Sequence, residues 1–122
     1  MQLVHHQAGG HLFVRHVAVD HVLIGEKRFS SSVALSATEL LETWPASLAQ
    51  ALSESALESL LELRPEVVLI GLNGIAVMPD PRVLGFFLSR RIGCEMMNLA
   101  SAARTFNVMV GEGRQVVLGL VM

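Results

Sequence analysis

The stretch VVLIGLNG, Val67 to Gly74, decides the fold. Val67-Val68-Leu69-Ile70 is a continuous apolar run with no polar face, closed by Gly71. A strand of that kind is covered on both sides, as in the interior of a parallel sheet. The residues beyond it continue the same logic. Asp80 and Pro81 form a helix start, a capping side chain followed by the one helical position that needs no N–H. Val83, Leu84, Phe87, Leu88 and Arg91 then recur at helical spacing, and Gly93 is expected to end the helix. Cys94 to Met97 is a short strand. Asn98 or Ser101 caps a helix running through Val110 and ended by Gly111. Val116 to Val121 is a last strand, with Val116, Leu118 and Leu120 alternating against Val117, Gly119 and Val121. Residues 67–122 therefore form a βαβαβ unit, which predicts parallel strands joined by right-handed crossovers.

Upstream the texture differs. Residues 1–36 are strand-like. His11 to Val19 is rich in β-formers, and His21 to Ile24 runs into a Gly25-Glu26-Lys27 turn. Arg28 to Leu35 follows, with Phe29, Val33 and Leu35 on one alternating face and Ser30 and Ser32 on the other. Two runs about a glycine-containing turn predict a β-hairpin. Such hairpins would add antiparallel strands to the parallel ones. The expected fold is a single α/β domain over residues 1–122, in three layers with a mixed central sheet. Between the two parts, Ser36-Ala37-Thr38-Glu39 has the pattern of a capping box, predicting a helical turn with Leu40, Leu41 and Trp44. Ser55-Ala56-Leu57-Glu58 has the same pattern. There Leu57, Leu60, Leu61 and Leu63 make an apolar stripe, Glu54, Glu58 and Glu62 a wet face, and Pro65 a stop.

Composition narrows the functional classes. The chain has 122 residues, 52% hydrophobic and 16% charged, with a net charge of -2. That length suits one core, and the apolar content excludes intrinsic disorder. The mean hydropathy of +0.51 reports a dense core, because no apolar run approaches the ~20 residues of a membrane helix. Direct membrane insertion is not expected. Met1 to Gly10 lacks both a signal peptide and an Arg-rich presequence, so the expected location is the cytoplasm. Basic residues are few and include a single lysine, Lys27, which argues against nucleic acid. The lone Cys94 has no partner for an internal disulfide and no CxxC context; it is expected as a small core residue.

Several constellations could carry chemistry. Five histidines fall in the first 21 residues, His5, His6, His11, His16 and His21. A spacing of five turns successive members to opposite faces of a strand and leaves them about 140° apart on a helix. They do not converge as metal ligands must, although a hairpin could set His11 or His16 beside His21. Gly71-Leu72-Asn73-Gly74 sits at the carboxyl end of the buried strand, where open α/β sheets bind ligands. It lacks GxGxxG and Gly-Lys-Ser/Thr, so its plain role is a turn. Ala103-Arg104-Thr105-Phe106-Asn107 is more distinctive: Arg104 and Asn107 are i and i+3 on one helical face. Glu112-Gly113-Arg114 follows as a polar turn. Arginines at both ends of this helix–turn unit would suit an anion or a protein partner, or would simply hydrogen-bond the helix end and the turn. Trp44 is expected as a core anchor, and Arg90-Arg91 as cations favoured at a helix C-terminus. Nothing in the sequence implies a cofactor, a metal or a catalytic set.

The pieces VVLIGLNG at Val67–Gly74, Pro79, and IGCEMMNLASAARTFNVMVGEGRQVVLGL at Ile92–Leu120 resemble domain-of-unknown-function family 498. The hairpin, Ser32-Val33 and Trp44-Pro45 resemble its first half. The resemblance covers most of the chain from about His11, and is most specific at Ala-Arg-Thr-Phe-Asn and Glu-Gly-Arg. The family usually has Gly-Thr-Gly after the buried strand and Tyr at the place of Phe106. It spans archaeal and bacterial single-domain proteins, a mitochondrial respiratory complex I assembly factor and an adipogenesis-associated human protein. The resemblance implies a compact three-layer α/β domain and no established enzyme activity. The resulting expectation is a non-enzymatic protein-binding or assembly factor, whose partner by family analogy belongs to a respiratory or membrane complex. Its candidate binding surface is Arg104, Asn107 and Arg114, edged by Gly71, Asn73 and Gly74. The alternative is a small-molecule or anion binder with a cleft near Asn73 and Arg104. Self-association is left open.

Overall fold

The computed structural model describes residues 3–5, 10–74 and 77–122. In chain order the elements are β1 (Leu3–His5), β2 (Val14–Val17), β3 (Val22–Ile24), β4 (Lys27–Phe29), β5 (Val33–Leu35), β6 (Glu39–Leu41), α1 (Glu54–Leu61), β7 (Val67–Leu72), α2 (Pro81–Leu88), β8 (Gly93–Asn98), α3 (Leu99–Gly111) and β9 (Val116–Val121). Six strands form the central sheet in the order β1-β6-β5-β9-β7-β8. β7 lies parallel to both β8 and β9, while β5 joins β9 antiparallel and the β5–β6 and β1–β6 pairs are antiparallel. The sheet is mixed, as the two textures of the chain predict.

Two cores follow from the two faces of this sheet. Leu69, Leu118 and Leu120 point to one face and meet Phe106 and Val110 of α3. Val14, Val22, Ile24 and Phe29 of the N-terminal strands complete that core. Val68, Ile70, Val117 and Val121 point to the other face, against α1, α2 and Trp44. This gives three layers. Strand glycines let the layers close up: a Cβ on Gly119 would lie 2.6 Å from the Trp44 ring, and one on Gly71 would lie 2.9 Å from the Ala102 Cβ in α3. Trp44 is buried, and its indole N–H donates to the Ala56 carbonyl at 2.9 Å, so its polar tip is satisfied.

Several boundaries differ from the sequence-based expectation. The run Arg28–Leu35 is not one strand. A bend at Ser30-Ser31 sends β4 into a separate three-stranded sheet, β2-β3-β4, while β5 enters the central one. Ser32 is buried, and its Oγ accepts from Met122 N–H at 2.9 Å. Ser36 does accept from the N–H three residues on, Glu39, at 3.1 Å. Yet Ser36 N–H also donates to the Glu39 carbonyl at 2.8 Å, so the capping pattern closes a turn between β5 and β6 instead of starting a helix. Pairing on both edges of β6 outweighs the local preference. The cap of α1 is Ser53, two residues before the expected start, and that of α3 is Asn98. α2 stops at Leu88, so Arg90 and Arg91 lie beyond it. Arg91 makes the turn at φ 60, and Gly93 opens β8. β8 is an edge strand, which leaves Cys94 half-buried rather than in the core.

Candidate functional site

α3 begins where β8 ends, and Asn98 fixes the junction by accepting from Ser101 N–H at 2.8 Å through Oδ1. From this start Leu99, Ala102, Ala103, Phe106 and Val110 face inward. Ala100 and Arg104 remain on the outside. Thr105 Oγ1 donates to the Ser101 carbonyl at 2.8 Å, a bond within the helix. Asn107 turns toward β2 and holds both backbone groups of Val14. Its Oδ1 accepts from Val14 N–H at 3.0 Å, and its Nδ2 donates to the Val14 carbonyl at 2.9 Å. Arg104 and Asn107 thus share a face, as their i, i+3 spacing requires, but only Arg104 is presented outward. Its one side-chain hydrogen bond among the described residues is to Ser101 Oγ at 3.3 Å.

Between α3 and β2 the surface is hollowed. One hollow of about 220 Å³ is lined by residues that include Val14, Arg15, His16, Ala103, Arg104 and Asn107. A second, of about 280 Å³, is lined by residues that include Ala18, Val19, Leu72, Asn73, Gly74 and Leu99. Val17 and Ala100 belong to both, so the two form one groove. The groove lies at the carboxyl ends of β7 and β8, where the sequence places a ligand site. Asn73 closes its far end: Nδ2 donates to the Val19 carbonyl at 2.7 Å, and the Asn73 N–H donates to Val121 at 3.1 Å. Gly71 does not line it. Gly71 is buried beneath α3, and its missing side chain is what lets the helix sit this close to β7.

Arg114 is elsewhere. It lies past the other end of α3, where its Nε donates to Glu66 Oε1 at 3.0 Å. Gln115 N–H reaches the same oxygen at 2.9 Å. Those two donors, the backbone N–H first, hold the Glu66 carboxyl below its usual range. Arg114 borders a separate cavity of about 280 Å³ with His11, Thr38, Glu39 and Arg64. There Arg64, at φ 56, donates from Nη2 to Glu39 Oε1 at 2.7 Å. Of the six candidate residues, Arg104, Asn107, Asn73 and Gly74 come together at the groove, Gly71 supports it from below, and Arg114 is separate. Sequence reasoning missed Val17, Ala100 and Arg15. Ala100 lies on α3 itself, and the packing of β2 against α3 brings Arg15 and Val17 to it, which no side-chain motif marks.

The histidines distribute as their spacing implies. His16 and His21 meet across the hairpin with ring centroids 6.0 Å apart, while His11 lies against Phe13. His21 Nδ1 is 2.8 Å from Asp20 Oδ1, and that bond lowers the Asp20 pKa. Among the described residues no three His, Cys, Asp or Glu side chains gather as a metal site; His6 and the side chain of His5 lie outside the described residues. Burial pushes the Cys94 thiol up to about 12, the opposite of what a nucleophile needs.

Comparison with known proteins agrees with this architecture. The structure resembles that of Xanthomonas campestris XCC1710 with 37% identity and a TM-score of 0.79, covering 90% of this chain and 83% of that one. A Bordetella parapertussis protein gives 29% identity and a TM-score of 0.82 over 94% of this chain and 98% of its own. A Bordetella pertussis protein described as a Mth938-like domain shares the fold at 24% identity and a TM-score of 0.75, covering 99% and 92%. No curated protein matches the chain. The model of one family, described as a protein of unknown function (DUF498/DUF598), matches residues 14–121. With nearly the whole chain inside that match, the protein belongs to the DUF498/DUF598 family.

Proposed function

We propose that the protein is a non-enzymatic binding module that receives another protein in the groove between α3 and β2. The observation that carries this reading is the lining of the groove. Val17, Ala18, Val19, Leu72 and Ala100 give it small apolar side chains beside the polar Asn73, Asn98 and Asn107, and Arg15, His16 and Arg104 stand at it with no carboxylate among the lining residues. Apolar side chains mixed with polar and charged ones are the usual anatomy of a protein contact. The polar groups that could have served chemistry are used structurally: Asn107 and Asn73 tie the N-terminal ribbon down, and Thr105 bonds its own helix. By family resemblance the partner belongs to a respiratory or membrane complex during assembly. Among the described residues no helix is long and apolar enough to cross a membrane.

The test is capture of native partners by the wild-type protein and by Arg104→Glu, with Arg114→Glu as the distant control. The expected result is a partner lost with Arg104→Glu and kept with Arg114→Glu. Equal capture by all three would overturn the reading. A second reading is supported by Arg104 itself, a guanidinium whose one side-chain hydrogen bond among the described residues is to a hydroxyl at 3.3 Å. That cation would suit a small carboxylate or phosphate. A metabolite that raises the Tm of the wild type but not of Arg104→Ala would decide for it.

A further inference from the structure

The direction of the β2 backbone says what kind of segment the groove accepts. β2 is an edge strand of the ribbon, paired on one side with β3. Ala18 N–H donates to the His21 carbonyl at 2.8 Å, and Gly25 N–H to the Phe13 carbonyl at 3.1 Å. Those bonds make Val14 opposite Ile24, and Val17 opposite Val22, non-hydrogen-bonded pairs. Across a bulge between Val14 and His16, both valines therefore aim N–H and C=O away from β3, toward α3. Asn107 takes both groups of Val14 and so imitates a neighbouring strand for one residue. At Val17, in the middle of the groove, no hydrogen bond among the described residues takes up either group. A half-buried donor and acceptor, side by side on a strand edge, form a template for one more peptide unit.

The charge around this edge is one-sided. Arg15, His16 and Arg104 line the groove, and no Asp or Glu does. Arg15 spends one Nη on the Gly25 carbonyl at 3.1 Å, and neither arginine has a salt-bridge partner among the described residues. We infer that the groove takes an extended, acidic segment of a partner polypeptide. The segment adds to the β2 edge by exchanging two backbone hydrogen bonds with Val17 and sets carboxylates against Arg104 and Arg15. This rests on the protein-binding reading above and names the chemistry of the partner. A donor and an acceptor offered together match a peptide unit better than a free anion, which has only acceptors.

The experiment is selection of a displayed library of random dodecapeptides on the intact protein, followed by affinity measurement on variants. The expected winners are rich in Asp and Glu with alternating apolar residues, and bind more weakly as salt rises. Arg104→Glu and the groove-filling Ala100→Trp, both on the exposed face of α3, should each weaken them by about tenfold or more with Tm unchanged. Val17→Pro deletes the edge donor where the ladder uses none, and should weaken them similarly. Winners without acidic bias, winners insensitive to Arg104→Glu and Ala100→Trp, or no winners at all would each overturn the inference. A photo-crosslinking residue at position 100 separates this failure from failure of the broader reading. Crosslinks to a folded or basic partner surface would sink the acidic segment while keeping protein binding. No protein crosslink would sink both.

Discussion

The middle of α3 and the turn past its C-terminal end each present an arginine, and the two are used in opposite ways. Past the C-terminal end, where the helix dipole favours cations, Arg114 is matched with Glu66 and the nearby Arg64 with Glu39. Each of those charges has a counter-charge at hydrogen-bonding distance. Near the middle of the helix, where a cation gains nothing from the dipole, the one side-chain hydrogen bond of Arg104 among the described residues is to a serine hydroxyl. Asn107 on α3 and Asn73 beyond β7 hold the ribbon in place beside it. One region has its charges paired around a cavity of its own. The other is a scaffold with a cation and an open strand edge left over, which is why the binding proposal settles there.

The contrast breaks most visibly at Asn107. Asn107→Ala deletes both bonds to Val14 and strands a partly buried N–H and C=O. At roughly 1–3 kcal/mol for each stranded group, the expected loss is about 3 kcal/mol in urea melts. Amide exchange should accelerate in β2 and β3 more than in β7, because the ribbon loses its tie to α3 while the central sheet does not. Gly71→Ala comes next. Its Cβ would press on Ala102 at 2.9 Å, and lifting α3 from β7 should cost about 2 kcal/mol, within the usual range for overpacking. Arg104→Ala, in the same helix, should leave the urea midpoint where it is.

Much of this contrast is visible in the sequence, and some of it could not be. Val67–Ile70, Asp80-Pro81 and the alternation of Val116–Val121 specify the βαβαβ half, because each pattern has one cheap structural solution. The N-terminal half uses strands of three or four residues, too short for alternation to tell one sheet from two. Ser36 shows the limit sharply: its Oγ makes the same bond in a β-turn as in a helix cap, and only the neighbours of β6 decide between them. At the site, the i, i+3 spacing places Arg104 and Asn107 on one face but is silent on which is spent. Arg104 and Arg114 are equivalent as letters; Glu66, 48 residues from Arg114, separates their roles. Val17 contributes backbone, and backbone direction depends on a bulge that no residue type announces.

In the charge-paired region the expected effects are smaller. Arg64 occupies the left-handed region at φ 56, where a side chain is strained and glycine is at ease. Arg64→Gly relieves that strain by about 1 kcal/mol. It also removes an ion pair whose arginine is largely exposed, worth roughly 0–1 kcal/mol. The stability by chemical denaturation should therefore stay within about 1 kcal/mol of wild type, the two changes offsetting. A loss well beyond that would mean that Glu39, which is buried, relies on Arg64 more than an exposed pair can supply.

The smallest effect is the most diagnostic of the comparison, because it depends on pH. The Glu66 carboxyl is held below its ordinary 4.5, first by Gln115 N–H and then by Arg114. A carboxylate whose folded-state pKa is depressed stabilises the fold above its unfolded value, and that contribution is lost as pH falls through the folded one. Wild type should thus melt slightly above Glu66→Gln at neutral pH, and the gap should close as pH drops below 4.5. Arg114→Ala should leave a smaller gap of the same shape, since the first of the two donors survives. Arg104→Ala should melt with wild type at every pH, because no carboxylate pairs with it among the described residues. A pH-dependent gap for Arg104→Ala would show that Arg104 already answers a carboxylate within the fold, and the two arginines would no longer differ.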